Sequence, residues 1–265
     1  MGAHDGDAQG LSSGFPAMQF DCWEKFKGFI SADLLARDNP QGDPLPVWPR
    51  YLFRGQGDEA WHLEPAFDRT FISLPDHERA AKHKLLLTNF KHECRHFPDY
   101  RDDIEDDMRC LALAQHFGLP TRLLDWTESP YIAAYFAFRA HLSIDRGTGV
   151  SGKNKRVAIW ILDRNFDQYW GGFRGVQVID LTSWCNERLK RQFGWFTLAQ
   201  TPCSNLEEYV LQLGNKQGAL RKITLSAGMA EPAMRDLEYM RISARELFAD
   251  LTGAATNALV RSVLG

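Results

Sequence analysis

Gln115-His116-Phe117-Gly118-Leu119-Pro120-Thr121-Arg122-Leu123-Leu124-Asp125-Trp126-Thr127 is the stretch on which the reading of this chain turns. A helix ends at Gly118, with Pro120 just beyond, which is the usual chemistry of a helix C-terminus. Thr121 to Trp126 then reads as a strand. Ser129 followed by Pro130 starts a new helix, with Ser as N-cap and Pro at the first helical position. An amide, an imidazole, a guanidinium, a carboxylate and two hydroxyls therefore straddle a turn, a strand and a helix start within 13 residues. Polar groups converge on ligands at such places, and the helix N-terminus near Ser129 favours an anion. A structural alternative stands beside this: Arg122 pairs with Asp125, and His116 merely caps the preceding helix.

Upstream, Tyr51-Leu52-Phe53-Arg54-Gly55-Gln56 reads as a short strand ending in a Gly turn. It sets a cation at the mouth of an apolar strand, and Gly55 lets another chain or a ligand approach the backbone closely. The planar fork of Arg54 donates in pairs and suits phosphate or carboxylate. The alternative for Arg54 is a salt bridge to a structural carboxylate. Between these two stretches, Leu85, Phe90, Cys94 and Phe97 predict a helix within 77–97, and Ile104, Met108, Leu111 and Gln115 predict another.

Further out, Phe20, Trp23, Phe26, Ile30 and Leu34 recur at helical spacing and predict an amphipathic helix over 20–36. Asn39 to Pro49 carries four prolines and reads as an extended connector. Downstream, the helix from Ser129 runs to about His141, and the Gly- and Ser-rich stretch Leu142 to Lys155 reads as a loop. Arg156–Leu162, Gly194–Ala199 and Leu220–Leu225 read as strands, and the chain from Glu231 on is mostly helical. With no repeat and no second linker, the expectation is one α+β domain over 19–265: a small mixed or antiparallel split sheet flanked by helices. Residues 1–18 are rich in Gly, Ser and Asp, lack a signal core and read as a flexible tail.

Composition narrows the function classes. The 265 residues carry a formal net charge of -3, so the whole chain has no bias toward nucleic acid or anionic membrane. No apolar run approaches the roughly 18 to 20 residues that cross a bilayer. Five cysteines at irregular spacing argue for reduced thiols and a cytoplasmic setting rather than a disulfide framework. His92 and His96 stand one helical turn apart, but no third ligand is marked, so no metal is expected. No Gly-Lys-Ser phosphate loop and no Gly-x-Ser-x-Gly elbow are present. No carboxylate pair marks the metal site of a nuclease.

Phe53-Arg54-Gly55-Gln56, then Trp61, Leu63, Pro65 and Arg69, then Gln115 to Thr127 running into Ala133-Ala134-Tyr135-Phe136-Ala137, resemble the FRG domain family. Arg188, Gln192, Gly194 and Phe196 fit its later motif, and Leu247 to Gly253 its C-terminal signature, with Ala249 and Thr252 where Pro and Asp are usual. The resemblance covers about 45–255. It implies a bacterial or phage protein whose family is largely of unknown function.

The motif order is also similar to the ADP-ribosyltransferase superfamily of the arginine–serine–glutamate type, which implies NAD as substrate and an ADP-ribosyltransferase-like fold. On that likeness Arg54, Asp125, Thr127 and Gln192 are the catalytic candidates. Arg54 clamps phosphate or ribose, Thr127 positions the nicotinamide ribose, and Gln192 stands where a glutamate is usual, with Glu187 or Asp125 as substitutes. Gly55, Gln56, Gln115, His116, Thr121 and Arg122 are the candidates for binding the nucleotide. The expected activity is ADP-ribosyl transfer or NAD hydrolysis. The alternative is a non-catalytic nucleotide- or phosphate-binding module in bacterial defence against phage.

Overall fold

A computed structural model of the protein describes residues 15–35, 49–142, 155–172, 175–181, 187–214, 218–248 and 250–264. The tail over 1–14, the body of the connector (39–48), the loop over 143–154 and Ala249 lie outside the described residues. Among the described residues, seven strands form one mixed sheet: β1 (Ala17–Phe20), β2 (Tyr51–Gln56), β3 (Leu123–Thr127), β4 (Arg156–Asp163), β5 (Val176–Ile179), β6 (Gly194–Ala199) and β7 (Leu220–Ser226). Their spatial order is β1-β7-β4-β2-β3-β6-β5. β1 runs parallel to β7, and every other neighbouring pair is antiparallel.

The sheet is split as expected, and the split has a definite place. β2 pairs with β4 over six residues from Tyr51↔Asp163 to Gln56↔Ala158, and β3 pairs with β6 over five from Leu123↔Leu198 to Thr127↔Gly194. Between β2 and β3 the register holds one pair, Phe53↔Thr127. Beyond it the strands diverge.

The central strand β4 explains the layers. Its run Val157-Ala158-Ile159-Trp160-Ile161-Leu162 is buried throughout, as a strand covered on both faces must be. Side chains alternate across a pleat, so Val157, Ile159 and Ile161 meet one core, and Ala158, Trp160 and Leu162 another. The first core is closed by α1 (Trp23–Gly28), which continues as a π-helical segment over Phe29–Leu35, and by α6 (Pro130–Phe138) and α10 (Ala230–Tyr239). The second core is closed by α7 (Asp167–Trp170) and α9 (Leu206–Gln212). Short α2 (Ala66–Thr70) and long α3 (Asp76–Cys94) lead to α4 (Arg101–Glu105) and α5 (Asp107–His116). α5 packs Leu111 and Ala112 against Leu123, Phe196 and Leu198 of β3 and β6. α8 (Glu187–Arg191), α11 (Ala244–Phe248) and α12 (Leu251–Leu264) complete the chain.

Local chemistry sets the boundaries. Ser129 caps α6 by accepting from Ile132 N at 3.3 Å, with Pro130 at the first position. α5 ends at Gly118, whose φ of +87° suits a residue without Cβ, and Leu119 N closes the turn onto Ala114 O at 2.9 Å. Three expectations are corrected. The N-terminal chain is placed from Phe15, not Gln19: Phe15 is buried, edge-on to Trp160, and β1 follows. The helix expected from Ile104 to Gln115 is broken at Asp106, whose extended backbone and carboxylate cap Met108 N and Arg109 N, both at 2.9 Å. The strand expected from Thr121 begins at Leu123, because Arg122 turns away to a buried partner described below.

Candidate functional site

The divergence of β2 from β3 opens a cleft of about 860 Å³. Arg54, Gly55, Gln56, Gln115, His116, Asp125, Thr127 and Gln192, eight of the ten residues expected at the site, line it. Where the β2–β3 ladder would continue, Asp125 O accepts instead from Arg54 Nη1 at 2.6 Å. The same guanidinium lies 3.5 Å from Asp125 Oδ2. Gln115 donates from Nε2 to Asp125 Oδ1 at 2.7 Å, and Thr121 Oγ1 donates to Gln115 Oε1. The Asp125 carboxylate is thus gripped from two sides while its side chain stays 64% exposed. Arg54 Nε is buried without a hydrogen-bond partner among the described residues, a donor that a buried site does not leave unused without cost. Burial draws the Arg54 pKa below its ordinary value, and Asp125 opposes that.

The cleft is richer in cations than the sequence reading expects. Arg69, Arg139 and Arg188 join Arg54, against the carboxylates of Glu64 and Asp125. Arg139 and Arg188 stack over Phe248 at 5.7 and 4.6 Å from its ring centre, and Arg139 also lies over Phe136. Burial lowers the Arg188 pKa, opposed by Asp125 and Asp250. His116 is biased toward its neutral form, first by burial and then by Arg188. Glu64 is pushed up by burial, against the pull of Arg69. Trp61, 57% exposed, adds an open aromatic face. Arg69, Arg188 and Trp61 carry a signal in the spacing of the motifs; Arg139, one residue past α6, carries none.

Several expected residues have other work. Thr121 and Arg122 lie outside the cleft wall. Arg122 is buried and meets Asp68 Oδ2 through Nε at 3.1 Å and Thr201 O through Nη2 at 2.9 Å. Arg79 Nη1 holds the other oxygen of Asp68 at 2.9 Å, so the three form a buried ionic cluster. The alternative in which Arg122 pairs with Asp125 is therefore replaced by Asp68. Gly55 does permit close approach, but of the chain itself: a Cβ there would lie 1.8 Å from Ala133 O in α6. Gln56 joins Trp160 Nε1 to His62 O, at 2.7 and 2.9 Å. Thr127 Oγ1 donates to Gln192 O at 2.7 Å and accepts from Ser129 N at 3.1 Å. Gln192 Nε2 donates to Leu247 O at 3.2 Å. Glu187 does not line the cleft, and its exposed carboxylate faces Lys190 at 3.7 Å.

The family model of the FRG domain matches residues 49–146. That FRG span holds β2, α5, β3 and α6, hence both sides of the split and Arg54, Gln115 and Asp125. The cleft extends past it to Arg188, Leu189, Gln192 and Phe196. No curated protein and no solved structure matches the chain. No helix among the described residues is long and apolar enough to cross a membrane, and no three His, Cys, Asp or Glu of those residues gather as a metal site.

Proposed function

We propose that the cleft binds NAD or a closely related dinucleotide and breaks its nicotinamide–ribose bond, passing ADP-ribose to water or to an acceptor. The observation that carries this reading is that four arginines line one cleft together with a fixed, accessible carboxylate, Asp125. A diphosphate needs donors in pairs, which guanidinium groups supply. Trp61 offers a stacking face for a base or nicotinamide ring.

The chemistry assigns the parts. The ribose C1′–nitrogen bond breaks, its electron pair leaves with neutral nicotinamide, and positive charge develops on the sugar. Asp125, preorganised by Gln115 and Arg54, steadies that charge. Arg54 clamps the diphosphate or ribose. Thr127 and Gln192 shape the floor rather than touch the reacting atoms, since each is already bonded within the fold.

That last observation also favours a second reading, a nucleotide-binding module without catalysis. One experiment separates them: the protein is incubated with NAD and free nicotinamide is followed by mass spectrometry, beside calorimetry with ADP-ribose. Nicotinamide release that Asp125→Asn abolishes supports the enzyme. ADP-ribose binding without release supports the module. Neither binding nor release overturns both.

A further inference from the structure

The chain crosses the cleft wall as Trp61-His62-Leu63-Glu64 between β2 and α2, and partners on two sides fix it. Gln56 of β2 donates to His62 O at 2.9 Å. Leu206 N, at the start of α9, donates to Leu63 O at 3.0 Å. Glu207 of α9 accepts from Leu63 N at 3.0 and 2.9 Å with its two oxygens, and its Oε1 lies 3.3 Å from His62 Nδ1.

Glu207 is 4% exposed, and a carboxylate is buried at a cost unless donors surround it. Leu63 N and the backbone N–H of Glu207 donate to it and His62 Nδ1 lies beside it, yet burial still pushes its pKa up. With Nδ1 facing the Glu207 carboxylate, Nε2 is the ring nitrogen left to meet another partner. Nε2 has no hydrogen-bond partner among the described residues, and the side chain, 47% exposed, borders the same cleft as Asp125. An imidazole held at one ring nitrogen by a buried carboxylate, with the other nitrogen beside a cleft, is an arrangement suited to general-base catalysis. Glu64, on the same wall, is the other carboxylate whose charge reaches His62. The linked position of Glu207 lies 145 residues away in sequence, so no local pattern announces the pair.

We propose that His62 is the proton acceptor of this cleft, with Glu207 as its positioning residue. The inference rests on the reading of the cleft as a site of nicotinamide–ribose cleavage. A water or acceptor hydroxyl oxygen bonds to ribose C1′ as the C1′–nitrogen pair departs with nicotinamide. Its proton passes to His62 Nε2 and from there to solvent. Glu207 steadies the imidazolium while it exists.

The test uses the full chain, with NAD turnover and ADP-ribose affinity measured side by side. His62→Gln lowers kcat for nicotinamide release by roughly 10²- to 10⁴-fold, the range for a lost acid–base group, and leaves ADP-ribose affinity unchanged. Added imidazole restores part of the rate in His62→Ala, which a merely structural histidine would not allow. Glu207→Gln lowers kcat with KM held. Since Glu207 is buried, the exposed His62 variants carry the decision if that protein fails to fold. A parent that releases nicotinamide while His62→Gln keeps its rate overturns the inference and leaves the cleft reading standing. A parent that releases none overturns both.

Discussion

Arg54 Nη1 donates to Asp125 O at 2.6 Å in the place where a strand neighbour would have carried the β2–β3 ladder forward. A side chain thus does the work of a backbone, and the consequence is an opening. With Phe53↔Thr127 as the one registered pair between them, β2 and β3 separate beyond it, and their polar ends line a common space. The Nε of the same guanidinium is buried and meets no hydrogen-bond partner among the described residues.

Arg54→Lys is expected to fold and to bind poorly. Lysine keeps the charge and loses the paired donors. Losing a charge-assisted hydrogen bond weakens ADP-ribose binding by roughly 1.5–3 kcal/mol, about ten- to hundred-fold. Asp125 is 64% exposed and keeps Gln115 as a donor, so loosening its ion pair with residue 54 costs stability only about 0–1 kcal/mol. Calorimetry and thermal melts check the two halves; a collapse of stability with no parent response to the nucleotide would return Arg54 to the scaffold.

Arg122→Ala is expected to do the reverse. Asp68 has no exposed side-chain surface, and removing Arg122 leaves it with Arg79 alone and Thr201 O without its donor. Breaking such a buried pair costs about 3–5 kcal/mol. Urea unfolding should show that loss, while the protein that remains folded binds ADP-ribose like the parent. A nucleotide-binding defect at full stability would place Arg122 at the site after all.

Arg54 and Arg122 also mark how far the sequence could be read. Both follow or enter apolar strands and both look like anion clamps. What separates them is Asp68, 54 positions from Arg122, which no local pattern reveals. Elements with strong local chemistry were legible: the strand Tyr51–Gln56, the Ser129–Pro130 helix start and the buried run of β4. β1 was not, because Ala17–Phe20 is an exposed edge whose partner lies some two hundred residues on, at Lys222–Leu225. Eight of the ten expected site residues do line one cleft, yet residue type alone could not tell lining from reacting: Thr127 and Gln192 are bonded within the fold. Arg139, His62 and Glu207 went unread because their meaning arises only from packing.

Gly55→Ala is expected to damage the fold although the residue borders the cleft. The added Cβ would meet Ala133 O at 1.8 Å and Ala137 N at 2.9 Å, both backbone atoms of α6, which cannot yield as a side chain tip would. Overpacking of this kind costs about 1–3 kcal/mol or more. A melting temperature lowered by roughly 5 °C or more is the expected outcome. An unchanged melt would mean that α6 does not lie this close to β2.

His83 gives the protein a pH limb that can be assigned. Its ring sits edge-on to Phe67 at 5.2 Å, beside the Asp68–Arg122 cluster. Burial first, and Arg122 next, push its pKa down from 6.5 to about 4, with Asp68 opposing. Well above pH 6.5 the ring is neutral in both the folded and unfolded chain and contributes no pH dependence. As pH falls below that value, the unfolded chain takes up a proton that the folded protein refuses, so stability drops. The drop continues to about pH 4, where the folded ring is protonated too. A shift of this size corresponds to roughly 3 kcal/mol across the window. Urea unfolding from pH 7 to pH 4 should show it. His83→Phe keeps the edge contact with Phe67 and removes the titrating group, so its stability should fall less steeply over the same range. Equal slopes in parent and variant would show that His83 is protonated in the folded protein, or that another group governs the limb.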